Sequence, residues 1–261
     1  MKASLKEANL TAKPTVFGKN RLLNLLPSSK RNQFISRCDV VDLNLGEIIG
    51  NTGDLIRYVY FPTEGVISLE KQITGSPHIV MCLIGNEGML NMRLALGVDI
   101  TPCRAVVQKA GFALRINAAD FLLNLQQLPA LDLLVKRYTF VTCSQLLQTS
   151  ACNLFHVLEN RLAKLILSFH DRSQSNELHI TQELFAQMLG VRRVAVTKAA
   201  GLLQRKNLIS YSRGNVIVHN SKGLTDVSCL CYQADKDAYA QFMQADVFKD
   251  DKLMIELEDM L

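Results

Sequence analysis

The sequence has no apolar run approaching 18 residues, so none of it is expected to cross a bilayer as a helix. No apolar stretch follows the first methionine. Met1 to Asn20 mixes Lys, Glu, Thr and Pro, so no secretory leader is expected. The seven Cys are an odd number, scattered from Cys38 to Cys231 without paired spacing, which argues against a disulfide framework. The compartment expected is the cytoplasm, where thiols stay reduced. There is no internal repeat and no low-complexity tract. Catalytic signatures are missing too: no G-x-S-x-G, Walker loop, dinucleotide fingerprint or H-E-x-x-H occurs, so an enzyme is not expected. Cys ligands for an iron–sulfur site do not cluster near the N-terminus, and there is no C-x2-C run. Haem ligands would have to come from isolated residues such as His78 and Cys82. No cofactor and no metal site is expected. The closest thiol pair, Cys229 and Cys231, reads as small apolar packing, with a redox or metal role as the alternative.

What is present is ordinary globular material. Of 261 residues, 48% are hydrophobic and 20% charged, enough for one large domain or two ordinary ones. The net charge of +5 is unevenly placed. Gln233 to Leu261 holds eight acidic and three basic residues, a net of −5, leaving +10 for the rest. Ser173 to Tyr232 carries seven basic residues (Arg192, Arg193, Lys198, Arg205, Lys206, Arg213, Lys222) against three acidic ones. A basic segment in front of an acidic tail points to an anionic partner.

The texture changes along the chain. Arg21 to Arg37 has a helical pattern. From Val40 to Ile116, short β-branched or alternating runs are divided by Gly and Pro turns. These runs are Val41–Leu45, Arg57–Phe61, Val66–Gln72, His78–Ile84, Ala105–Gln108 and Phe112–Ile116. Such a series predicts an antiparallel sandwich or roll. Helix follows. Ala118–Leu125 is short, and Pro129 suits the first position of a longer helix. Leu131, Leu134, Val135, Tyr138 and Val141 share one face of it, able to pack in its own domain or against a second copy.

Ile180 to His219 is the most informative stretch. Thr181 is placed to cap a helix whose apolar face is Leu184, Phe185, Met188 and Leu189. Ala186, Gly190 and Val196 have the spacing of a helix-turn-helix: a small residue where two helices cross, a glycine at the turn, a β-branched residue in the angle. The second helix, Arg192 to Arg205, presents Arg192, Arg193, Thr197 and Lys198. Two short strands around Ser212-Arg213-Gly214-Asn215 then form a hairpin, completing a winged helix.

Residues 180–197, ITQELFAQMLGVRRVAVT, resemble the DNA-binding domain of Crp/Fnr-type bacterial transcription regulators, as do Leu208–Tyr211 and the wing behind them. Glu159–Ala163 is similar to the family's helix leading into that domain. Val59-Tyr60-Phe61-Pro62 with Gly65–Ser68 is similar to the hairpin of its sensor. The resemblance covers about residues 20–233. It implies an α+β fold with an N-terminal antiparallel, jelly-roll-like β-roll, a long dimerisation helix and a C-terminal winged helix-turn-helix. The divisions expected are a flexible tail over 1–20, a cyclic-nucleotide-binding-like β-roll sensor over 21–118, the dimerisation helix over 119–153, the winged helix over 154–233 and an acidic tail over 234–261. It further implies a homodimer, joined through Leu131, Leu134, Val135, Tyr138 and Val141. Its partners would be a palindromic double-stranded operator and RNA polymerase, with no membrane. Base contacts are assigned to Arg192, Arg193, Thr197 and Lys198, and phosphate contacts to Thr181, Gln182 and Arg213. The alternative is a small-ligand-binding or thiol-redox-sensing module whose winged helix serves protein contact.

The sequence departs from the family in two places. Cyclic-AMP-binding members carry a Gly-Glu pair and, about ten residues on, an Arg-Ser-Ala or Arg-Thr-Ala run. Aligned on Glu87-Gly88, these fall at Met92-Arg93 and Cys103-Arg104-Ala105. A carboxylate has become a cation and an arginine a thiol. The effector-pocket candidates Glu87, Arg93, Cys103 and Arg104 therefore imply a ligand other than cyclic AMP, its identity open. In many members a glutamate follows the first arginine of the second helix. Here Val194 follows Arg193 and offers only methyl contact, so the operator is expected to depart from the family's TGTGA-like element.

Overall fold

The computed structural model describes residues 19–74 and 78–244. A short 3-10 turn (Leu23–Leu25) and helix α1 (Ser28–Ile35) precede a two-sheet roll. Its strands are β1 (Asp39–Leu43), β2 (Ile48–Gly50), β3 (Tyr58–Pro62), β4 (Val66–Gln72), β5 (His78–Ile84), β6 (Arg104–Lys109) and β7 (Gly111–Asn117). All pairings are antiparallel, in the orders β1-β7-β3 and β2-β6-β4-β5. Alternation along the strands decides what each sheet covers. Leu43 and Ala113 point inward to meet Ile67, Leu69, Ile84, Ala105 and Val107 of the other sheet.

The opposite face of β1-β7-β3 carries Val59, Phe61, Leu114 and Ile116, too apolar to face water. Helices α2 (Ala118–Gln127) and α3 (Pro129–Phe155) cover it. Asn117 caps α2 by accepting from the Asp120 N–H at 2.8 Å, and Pro129 stands in the first turn of α3. This packing corrects the expected dimer interface. Leu131, Leu134, Val135, Tyr138 and Val141 are all buried within the single chain, against Phe34, Phe61, Leu114 and Phe121. The stripe is the same for a helix facing its own sheet as for one facing a twin. The uncovered apolar sheet decides between them.

The C-terminal domain follows a break at His156 and Val157. It comprises α4 (Leu158–Ser173), β8 (Glu177–His179), α5 (Gln182–Leu189), α6 (Arg193–Arg205), β9 (Ile209–Ser212), β10 (Asn215–Val218) and α7 (Ser221–Val227). The strands form a β8-β10-β9 sheet. This domain's core includes Val66, Val80 and Leu83 from the outer face of the four-stranded sheet, so domain and roll share apolar packing.

A further helix, α8 (Cys231–Phe242), corrects the expectation of an acidic tail beginning at residue 234. Tyr239, Phe242 and Met243 join the core around α3, and the Phe242 ring meets that of Phe140 edge-on at 4.8 Å. The carboxylate of Asp235 pairs with the Lys164 ammonium at 2.7 Å. The rest of that expected tail, 245–261, lies outside the described residues, as does 1–18 of the expected N-terminal tail.

One polar junction ties these parts together. Arg172 of α4 pairs with Glu87 of the β5 turn at 2.9 Å, and its Nε also donates to the Leu83 carbonyl at 3.2 Å. The Tyr239 hydroxyl of α8 donates to the Glu87 carbonyl at 2.8 Å. A Cβ on Gly88 would overlap the Tyr138 hydroxyl of α3, so only glycine admits this approach. Glu87→Ala would leave a largely buried guanidinium unpaired, an expected loss of about 3–5 kcal/mol. The double variant Glu87→Leu/Arg172→Met should recover most of it, read by urea denaturation. A single-variant loss no larger than that of a surface substitution would show that the pair contributes little.

Candidate nucleic-acid interface

Three local devices build the helix-turn-helix. The Thr181 hydroxyl accepts from the Leu184 N–H at 3.1 Å and starts α5. Gly190 ends it at φ +63°, in the left-handed region that L side chains avoid. Val196 is fully buried and Ala186 nearly so, which lets α5 and α6 cross closely. The wing closes through a two-residue turn. Ser212 pairs with Asn215, and Arg213 and Gly214 take φ of +49° and +82°.

The buried side of α6 is Val196, Ala199, Ala200 and Leu203. Its open side presents Arg193, Val194, Thr197 and Lys198, with Arg192 at the N-cap position. Val194 is 66% exposed, so it lies on the solvent side and not in the domain core. The Gln182 side-chain carbonyl accepts from Thr197 Oγ1 at 2.9 Å and from Arg193 Nε at 3.4 Å. The first helix thereby steadies two side chains of the second. Thr181, Gln182, Arg193, Tyr211, Arg213 and Gly214 surround a concavity of about 400 Å³ between α5, α6 and the wing, with Glu183 as its one acidic lining residue. Four of the seven expected DNA contacts (Thr181, Gln182, Arg193 and Arg213) thus line one depression, and Thr197 is bonded to one of them, Gln182. Arg192 and Lys198 lie outside its lining.

Tyr211 was not among the expected contacts. Its hydroxyl donates to the Ile180 carbonyl at 2.8 Å and its ring meets Phe185 edge-on at 6.0 Å. Burial pushes the phenol up to about 12. It fastens the wing to the start of α5.

The effector-pocket candidates do not gather into one site. Glu87 is committed to Arg172 at the interdomain junction. Arg93 donates to the Thr101 hydroxyl at 3.4 Å, which in turn donates to the Cys103 carbonyl at 2.8 Å. Arg104 lies 3.9 Å from the carboxylate of Glu70. A cavity of about 490 Å³ in the roll is lined by Tyr58, Tyr60, Asn91 and Thr101 among others, and by none of the four candidates.

The comparisons with known proteins agree with this geometry. Residues 160–227 match the family model of the Crp-like helix-turn-helix domain. This segment is a Crp-like helix-turn-helix domain. No curated protein matches the sequence. Among solved structures, the chain is similar to FixK2 from Bradyrhizobium japonicum at 12% identity, covering 74% of this chain and 98% of that one, with a TM-score of 0.58. It is similar to TTHA1359, a Crp/Fnr-family regulator from Thermus thermophilus, at 19% identity, 73% and 98% coverage and a TM-score of 0.57. It is also similar to the c-di-GMP-responsive global regulator CLP from Xanthomonas campestris, at 14% identity, 74% and 99% coverage and a TM-score of 0.56. The Crp-like domain therefore sits on a roll and long helix whose fold is that of Crp/Fnr regulators.

Within the Crp-like domain Gly190 is required by its backbone conformation. A Cβ there would meet nothing within 4 Å, so any substitution is opposed by backbone conformation alone. Gly190→Ala should cost about 1–2 kcal/mol in urea melts, and Gly190→Asn less. Equal stability of Gly190→Ala and the parent would show that the turn relaxes freely.

Proposed function

We propose that the protein is a homodimeric, sequence-specific DNA-binding transcription regulator of the cytoplasm that inserts α6 into the major groove. One observation carries this reading. Arg193, Val194, Thr197 and Lys198 share the open face of a helix whose other face is core, flanked by the capped N-terminus of α5 and by Arg213 on the wing. A helix of this kind fits the groove, with a capped helix N-terminus on one flank and Arg213 on the other to meet the two phosphate rails. Arg193 is assigned to a guanine edge, Val194 to a thymine methyl and Lys198 to a base or a phosphate. Thr181, Gln182, Arg192 and Arg213 hold the backbone. The expected partners are a palindromic operator and RNA polymerase.

The dimer face is reassigned. With the Leu131–Val141 stripe buried, the apolar residues left open on α3 include Phe140, Leu147 and Leu154, seven apart. That spacing supplies one row of a coiled-coil seam. Phe140→Glu with Leu147→Glu should give a folded monomer on light scattering, whereas Leu134→Glu should unfold the chain. A dimer persisting in the first variant places the interface elsewhere.

The roll is read as a sensor for an effector other than cyclic AMP, because Arg93 and Cys103 stand where the carboxylate and arginine of its binding cassette would be. Micromolar cyclic AMP binding by calorimetry, lost on changing Arg93 or Arg104, would overturn that assignment.

On a selected operator, Arg193→Ala should cost about 1–3 kcal/mol and relax preference at one base pair. Lys198→Ala, if on a phosphate, should weaken all sequences alike and lower the salt slope by about one. Absence of any salt-dependent duplex binding would favour the alternative, a winged helix used for protein contact.

A further inference from the structure

Four metal-ligating side chains meet outside the DNA-binding surface, where the long helix ends. Cys152 and His156 stand on the last turn of α3 and just beyond it. Cys229 and Cys231 lie in the link between α7 and α8 and at the start of α8. One donor atom from each, three sulfurs and an imidazole nitrogen, falls within 4.8 Å of every other. Cys152 Sγ is 3.4 Å from Cys229 Sγ, and Cys231 Sγ is 3.4 Å from His156 Nδ1.

The backbone explains the convergence. The His156 N–H still donates to the Cys152 carbonyl at 3.1 Å, so residues four apart project from one side of a helical turn. Cys229 and Cys231 both turn inward around Leu230, which is 87% exposed. The three thiols are buried and lie against one another.

We propose that Cys152, His156, Cys229 and Cys231 form a tetrahedral site for a single thiophilic divalent cation of the zinc type. Metal–sulfur bonds of about 2.3 Å and metal–nitrogen bonds of about 2.0 Å place tetrahedral ligands roughly 3.5–3.8 Å apart. The observed separations need only small rotations to reach this. Soft thiolate with imidazole is the donor set that selects zinc over harder cations. Each ligating thiol gives up its proton to solvent as the metal binds, while His156 ligates as the neutral ring. Gln148 Nε2 points at Cys231 Sγ at 3.0 Å and can donate to a thiolate. An iron–sulfur cluster would need its ligands spread around a multi-atom core, wider than these four stand. The site would join α3, which carries the proposed dimer seam, to the segment directly behind the winged helix.

The test uses the full-length protein, purified reduced and without chelator. Elemental analysis should find one zinc per chain. Apo protein titrated with cobalt(II) should saturate at one equivalent, with intense tetrahedral visible bands and thiolate-to-metal charge transfer. Cys229→Ser/Cys231→Ser should abolish stoichiometric binding. His156→Ala, a change at an exposed position, should keep the charge-transfer band but weaken affinity at least tenfold. Cys38→Ser, outside the cluster, should change neither. Cobalt remaining in its octahedral, hydrated spectrum with the folded parent would overturn the proposal. So would acid-labile sulfide in the purified protein, or a Cys152–Cys229 disulfide in reduced preparations, detected as a loss of two hydrogens by mass spectrometry.

Discussion

The ion pair between Arg172 and Glu87 is the contact on which the arrangement of domains depends. Arg172 belongs to the first helix of the C-terminal domain, Glu87 to a turn of the roll, and Tyr239, bonded to the Glu87 carbonyl, to the last helix. Burial works against the charge on Arg172, but the carboxylate of Glu87 and other neighbours outweigh it and hold the guanidinium's pKa above its ordinary value. A charge so placed is stable only while its partner stays in position. Moving the C-terminal domain off the roll would therefore separate a pair and uncover apolar surface in one step.

That apolar surface follows from the roll itself. The three-stranded sheet is apolar on its outer face and the four-stranded one carries an apolar patch there, and each requires a cover. Helices α2 and α3 cover Val59, Phe61, Leu114 and Ile116, while the winged-helix core takes in Val66, Val80 and Leu83. The two covers are connected through α3 and the break at His156–Val157. The C-terminal helix α8 then returns along α3. A single protomer thus closes its own cores and leaves Phe140, Leu147 and Leu154 among the open apolar positions of the long helix.

Much of this was legible in the sequence because it is local. β4 and β5 run over the residues that alternation and turns predicted, Val66–Gln72 and His78–Ile84. The Thr181 cap, the Gly190 turn and the Arg213-Gly214 wing each announce themselves within a few residues, and each is present. Strands β2 and β8 were not legible. Each is three residues long and exists by pairing with a distant partner, too short to show a period. The face of α3 was misread because an amphipathic stripe states that a partner exists without naming it. The C-terminal helix reads as tail because acidic residues dominate the composition of that end, whereas Tyr239, Phe242 and Met243 are what pack. The cysteine cluster escaped because Cys152 and Cys229 are 77 residues apart, and only the C-x-C pair is close in sequence.

Strength and direction come from different interactions at the domain boundary. The contact of Val66, Val80 and Leu83 with the winged-helix core supplies attraction that scales with buried area and tolerates sliding. Hydrogen bonds and ion pairs tolerate little, since a shift of an ångström removes them. Arg172 reaches both the Glu87 carboxylate and the Leu83 carbonyl, and the Lys109 ammonium donates to the Ser173 carbonyl at 2.7 Å. All of these groups sit at the C-terminal end of α4 or on the roll strands and turn facing it. They fix where α4 ends, hence where the short β8 strand leaves it, and hence the pose of the helix-turn-helix that follows. The apolar contact alone would hold the domain on without specifying how α6 is presented. The polar contacts at one helix end turn that attachment into an orientation.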